Sequence, residues 1–203
     1  MQPAHRVLSA IALALVSAAS FAGTDVYNSS ASFLAHVAPG AYTENFDGLS
    51  QPAAGPVLFS GGAFSYTVSA PNDVYASGDF LGASIAGDAL TINFTSGNVK
   101  AVGGNFFAAD FGDGFQPAAI TLTLSNGTSV SFTPTSASDS FRGFVSDAFI
   151  SSMTISAGPL PLQTVFTAFD NLTVATAPVP EPASLALMGL GLAGLLAVRR
   201  RAA

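Results

Sequence analysis

Between residues 23 and 177 apolar and polar positions alternate with a period of two. Leu90, Ile92 and Phe94 alternate with Thr91, Asn93 and Thr95. Ile120, Leu122 and Leu124 alternate with Thr121 and Thr123; Asn126-Gly127 follows, and Val130 and Phe132 resume the alternation. That pattern predicts a hairpin, because Asn-Gly readily adopts the backbone angles that reverse a strand. Residues 149–155 place Phe149, Ser151, Met153 and Ile155 on one side of a strand. Residues 164–174 read as a long final strand. Phe166, Ala168, Asp170, Leu172 and Val174 fall on one face, and Val165, Thr167, Phe169, Asn171 and Thr173 on the other. Further strands are expected at 42–46, 57–59, 63–68 and 99–108.

One short helix near the N-terminus interrupts the pattern. Ser29 and Ser30 can cap it, Phe33, Leu34 and Val37 form its apolar side, and Pro39-Gly40 ends it. Short strands separated by Gly- and Pro-rich turns predict an all-β fold, a two-sheet antiparallel sandwich. Pro159 and Pro161 bracket a bend before the last strand, and residues 176–179 link the fold to the tail.

Composition narrows the partners. From Asp25 to Asp170 there are eleven acids against two strong bases, Lys100 and Arg142. Such a surface disfavours nucleic acid and anionic lipid. The chain has no cysteine, so an exported domain stands on its apolar core or on a bound ion. About 155 residues suffice for one core and one domain.

Both ends of the chain differ from this domain. His5 and Arg6 precede an apolar stretch from Val7 to Ala19, and Ser20-Phe21-Ala22 supplies small residues at the positions a signal peptidase reads. Residues 1–22 are therefore expected to be a signal peptide cut after Ala22. At the other end stand Pro180-Glu181-Pro182, an uncharged apolar run over 183–198, and Arg199, Arg200 and Arg201 within the basic tail 199–203. The run is at the short edge of a transmembrane helix, which needs roughly 17–25 residues. The arginines favour the cytoplasmic side, leaving residues 23–177 outside. The prolines keep the approach extended, where an enzyme can reach it.

The tail at 178–203 resembles the PEP-CTERM sorting signal of Gram-negative bacteria. That resemblance implies an exosortase-like membrane enzyme as partner, with processing near Pro180, Glu181 and Pro182. It implies a transient inner-membrane anchor, then the cell surface or extracellular matrix. Members are associated with exopolysaccharide and biofilm, so polysaccharide is implied as a companion. The ectodomain also resembles a recurrent PEP-CTERM sandwich of jelly-roll or lectin-like type, through residues 44–48 (ENFDG), 103–107 (GGNFF), 141–147 (FRGFVSD) and 168–174 (AFDNLTV).

In carbohydrate-binding jelly rolls an acid in the first strand and an aspartate in the last share a structural calcium. Glu44, Asp47 and Asp170 are similar in placement, and carboxylates with backbone carbonyls suit that ion. The alternative for Asp170 is a carboxylate that caps a turn or accepts from backbone amides at a strand end. Residues 110–114 (DFGDG) read as a turn with exposed carboxylates. Catalysis finds little support: Glu44 is the only Glu before the tail, and His36, the only His between residues 23 and 177, sits on the expected helix as a surface residue. The expectation is a non-enzymatic surface or matrix protein. A carbohydrate-binding module, with Tyr42, Tyr66 or Tyr75 stacking on sugar, is the first alternative, and a glycan-active enzyme the second. Two or more exposed aromatics in a groove favour the first, and two close carboxylates in a cleft the second.

Overall fold

The computed structural model describes residues 23–50 and 52–178. The expected signal peptide with Ala22, Pro180-Glu181-Pro182, the apolar run and Arg199 to Arg201 lie outside the described residues. Strands β1 (Thr24–Tyr27), β2 (Tyr42–Glu44), β3 (Val57–Gly61), β4 (Phe64–Ser69), β5 (Val74–Ala76), β6 (Leu81–Ala83) and β7 (Leu90–Phe94) make the first half, with helix α1 (Ser30–Leu34) after β1. The second half holds β8 (Ala101–Ala109), β9 (Phe115–Gln116), β10 (Ile120–Leu124), β11 (Ser129–Phe132), β12 (Phe141–Ser146), β13 (Ser152–Ala157) and β14 (Phe166–Ala175).

These strands form two antiparallel sheets. One runs β1-β12-β8-β14-β6-β5, with β2 added to β14 and β9 to β8; the other runs β11-β10-β13-β7-β4-β3. The expected two-sheet antiparallel sandwich with one short helix is the observed fold. Its main core lies between the sheets, where Leu90, Ile92, Leu122, Met153 and Ile155 from one side meet Phe106, Phe144 and Phe169 from the other. Burying each such side chain contributes roughly 1.5–3 kcal/mol.

Four details depart from the periodic reading. The hairpin β10–β11 turns at Asn126-Gly127, but only Gly127 has a positive φ (90°), and Leu124 N donates to Thr128 O at 2.8 Å. The turn is thus a longer loop with glycine in the left-handed position, not a two-residue turn. β13 begins at Ser152. Phe149 lies outside it, exposed beneath the Lys100 ammonium at 5.0 Å, while Ile150 is buried. Helix α1 is capped by Ser29, whose side chain accepts from Ser32 N at 3.2 Å; Ser30 is already helical, and Leu34 faces out. Strands β1, β5, β6, β9 and β12 carry no clean alternation, and periodicity does not find them.

A further departure shapes the candidate site. β14 does not keep one face throughout. Against β8 its register steps from Asp170↔Asn105 to Thr173↔Gly103, so β14 carries one extra residue, and Asn171 has φ 52°. This β-bulge flips the side-chain parity. Phe169 faces the core before it, and Leu172 and Val174 face the core after it. Asp170 therefore does not stand in a face with Leu172 and Val174, as strict alternation predicts.

Candidate functional site

The bulge sits where the free edge of β14 changes partner. β6 pairs with its first half at Ala168 and Phe169, and β2 with its second half at Leu172 to Val174. The loops that follow β2 and β5 meet over this junction, and Gly48 N donates to Gly78 O at 2.8 Å. Asp47 and Asp79 are thereby brought close enough to Asp170 for their charges to act on its carboxyl. Burial pushes the Asp170 carboxyl up to about 6; the Asn171 amide opposes this, and the Asp47 and Asp79 charges add to it.

Glu44 does not join them. Its carboxylate accepts from the Tyr42 hydroxyl and, at 3.3 Å, from the Phe46 amide. Burial, then that carboxylate, push the Tyr42 hydroxyl up to about 12. These bonds set the hook of residues 44–48. Phe46, with φ 57°, turns inward and packs edge-on against Phe59 and Phe169, each at 5.2 Å. Asn45 and Asp47 point the other way, paired at 2.7 Å. Asp170 accepts from the amide and the side chain of Asn171, both at 2.6 Å. A three-carboxylate calcium cage of Glu44, Asp47 and Asp170 does not fit this geometry. Among the described residues no group of three or more His, Asp or Glu side chains is placed to hold a metal ion.

A second feature lies on the outer face of the eight-stranded sheet. α1 covers one end of that face, with Phe33 over Ala101, Phe141 and Ala175. At the other end Phe80 and Phe107 pack on Ala109 and Ala168, with Tyr75 and Phe115 alongside. Among the described residues no helix lies over this end. A cavity of about 280 Å³ opens there. Its floor is small, made by Gly82, Ala83, Ala109 and Ala168, and its walls are the rings of Tyr75, Phe80, Phe111 and Phe166.

The loop of residues 110–114 forms one rim. The Asp110 carboxylate accepts from Gly112 N at 2.9 Å, Gly114 N at 3.0 Å and Gln116 Nε2 at 2.7 Å. The two glycine amides hold it below the usual carboxylate range. The Tyr75 hydroxyl donates to Asp113 Oδ2 at 2.9 Å. With its polar groups tied inward, the loop presents Phe111 outward, 82% exposed, with its ring edge-on to Phe166 at 4.9 Å. The loop is a turn, as expected, and the residue it presents to solvent is the phenylalanine between the carboxylates. Of the three candidate tyrosines, Tyr66 is fully buried and Tyr42 is tied to Glu44, so only Tyr75 lines the cavity.

β14 ends at Ala175, and residues 178–201 match the family model of the PEP-CTERM protein-sorting motif. The tail is a PEP-CTERM sorting motif. A protein that carries it is exported, held transiently in the membrane and sorted by an exosortase. No curated protein and no solved structure matches the chain. The PEP-CTERM motif thus assigns the route of the protein, while the sandwich is read from its own geometry. Two residues separate the end of β14 from the motif. A central strand of the sandwich therefore leads almost directly into the processed segment.

Proposed function

We propose that this protein is a non-enzymatic structural or binding component of the cell surface or extracellular matrix of a Gram-negative bacterium, associated with exopolysaccharide. The carrying observation is the sorting motif immediately behind β14. It dedicates the whole sandwich to delivery beyond the membrane. Signal peptidase acts first, after Ala22, and the exosortase then acts near Pro180-Glu181-Pro182. The non-enzymatic reading is supported by where the carboxylates point. Glu44 and Asp110 are spent on their own loops, and Asp170 on Asn171. The test is mass spectrometry of the protein from its own host together with fractionation. A mature C-terminus near residue 182 in the surface or matrix fraction is expected. A full-length chain retained in the membrane overturns the reading.

Calcium at the bulge is a second reading, favoured by the charges of Asp47 and Asp79 that act on the half-buried Asp170 carboxyl. Its ligands are Asp47 and Asp170, with Asp79 in place of Glu44. These side chains have to draw together around the ion, because they do not form a ligand group as they stand.

A further inference from the structure

The end of the eight-stranded sheet that no described helix covers has four properties that belong together. The hollow has a floor of small residues and aromatic walls. Gly82 keeps that floor low: a β-carbon there would lie 3.2 Å from Thr167 O and 3.8 Å from Tyr75 Cδ1. Ser84 adds a further small residue to the lining of the same hollow. A more open depression lined by Gln116, Gln163 and Thr164 shares Asp110 and Phe111 with the hollow. Phe111 therefore stands as a ridge between an apolar hollow and an amide-lined one.

Apolar ligands fit this arrangement poorly, because one side is lined by amides and a hydroxyl and the rim carries two carboxylates. Sugar rings fit it well. A pyranose has an apolar C–H face for an aromatic ring and an equatorial belt of hydroxyls for amides. Two hollows divided by one ring suit consecutive units of a chain. The charge is equally selective. Asp110 and Asp113 stand at the rim, and Lys100 and Arg142, the two strong bases among the described residues, lie over Phe149 and Phe132. An anionic glycan meets only repulsion here. The inward bonds of Asp110 hold the exposed ring in place before any ligand arrives, which reduces the ordering cost of binding.

We propose that the hollows on either side of Phe111 bind a stretch of uncharged polysaccharide, with one sugar ring against Phe111 and Tyr75 and the next over Gln116 and Gln163. This inference rests on the exopolysaccharide-associated reading for the source of the ligand. It does not rest on the sorting chemistry, and the experiment below leaves processing aside.

The full-length chain in detergent is titrated calorimetrically with neutral glucose, galactose, mannose and N-acetylglucosamine oligomers, from monosaccharide to hexasaccharide, and with a uronic-acid hexamer. At least one neutral series is expected to bind, more tightly as it lengthens past one unit. Phe111→Ala should weaken that binding about tenfold or more while leaving the melting temperature unchanged, because the ring is exposed. Asp113→Asn, which keeps an acceptor for Tyr75, should narrow the preference for neutral over uronic oligomers. The proposal is overturned if every neutral series fails, if uronate binds equally well, or if Phe111→Ala has no effect. It is also overturned if no oligomer binds and Phe111→Ala only dissolves a dimer, since Phe111 is then a contact between copies.

Discussion

Phe33 occupies the space in which a side chain at Gly143 would stand: a β-carbon there would lie 2.6 Å from Cδ2 and 2.7 Å from Cγ of the ring. Gly103, paired with Gly143 across β8 and β12, is nearly as close, at 3.1 Å from Cε1. This glycine pair is what lets a five-residue helix settle on the sheet and seal one end of its outer face. Gly143→Ala is therefore expected to destabilise the protein by about 1–3 kcal/mol, the usual cost of overpacking, and by more than Gly103→Ala. Urea melts of the full chain check this. Equal stability of Gly143→Ala and wild type would show that the helix is not seated on that strand.

Asp170 makes a prediction about pH. Its folded value of about 6 lies above the ordinary aspartate value of 3.8, so the protonated form is favoured by folding. The contribution to stability is fully present below the unfolded value and is lost as pH rises through about 6. Asp110 and Asp139, whose values are lowered by hydrogen bonds from backbone amides, act in the opposite sense and below the ordinary aspartate value of 3.8. Acidifying from about pH 7 to about pH 5 is therefore expected to stabilise the protein by about 1 kcal/mol, after allowance for the partial exposure of the group. Asp170→Asn, which still accepts from the Asn171 amide, should remove that rise. A wild type that loses stability steadily over the same range would contradict it.

For calcium the expected outcome is a melting temperature that rises with added ion and falls with chelator. The gain is about 2.7 kcal/mol when the free ion is a hundredfold above its dissociation constant. Asp170→Ala should abolish the response and Asp113→Ala should keep it. The effect should be smaller near pH 5 than near pH 7, because proton and ion compete for the same carboxylate. Indifference to both ion and chelator in the wild type removes the metal and leaves protonation as the only relief for Asp170.

Replacing Pro180-Glu181-Pro182 with three alanines should leave the full-length protein in the membrane. Mass spectrometry of the membrane and released fractions reads this directly. An unchanged mature mass with unchanged release would mean that these three residues do not direct processing. A reporter fused after Ala203 should be active only on the cytoplasmic side, where the arginines favour it.

The local chemistry of the chain determined the all-β class, the hairpin at residues 120–132, the Ser29 cap and the sorting tail. Each depends on residues a few positions apart: apolar residues two apart make a half-buried strand, and Asn126-Gly127 makes a reversal wherever it falls. Tertiary structure alone decided the rest. The bulge at Asp170 and Asn171 is invisible to a two-residue period, because the extra residue is defined only against Asn105 and Gly103 on β8. Glu44 and Asp170 look like partners in sequence, yet Glu44 is turned toward Tyr42, and the charges that act on Asp170 are those of Asp47 and Asp79. The hollow beside Phe111 needs Tyr75, Gly82, Ala109 and Phe166 at once, from strands whose order in the sheet is not their order in the chain. Phe111 itself sat in a segment read as a turn, and the signal was a large apolar ring among residues that otherwise serve only to bend the backbone. A turn can hold such a ring in water only because Asp110 spends its carboxylate on the loop's own amides, and which donors reach that carboxylate is settled by folding.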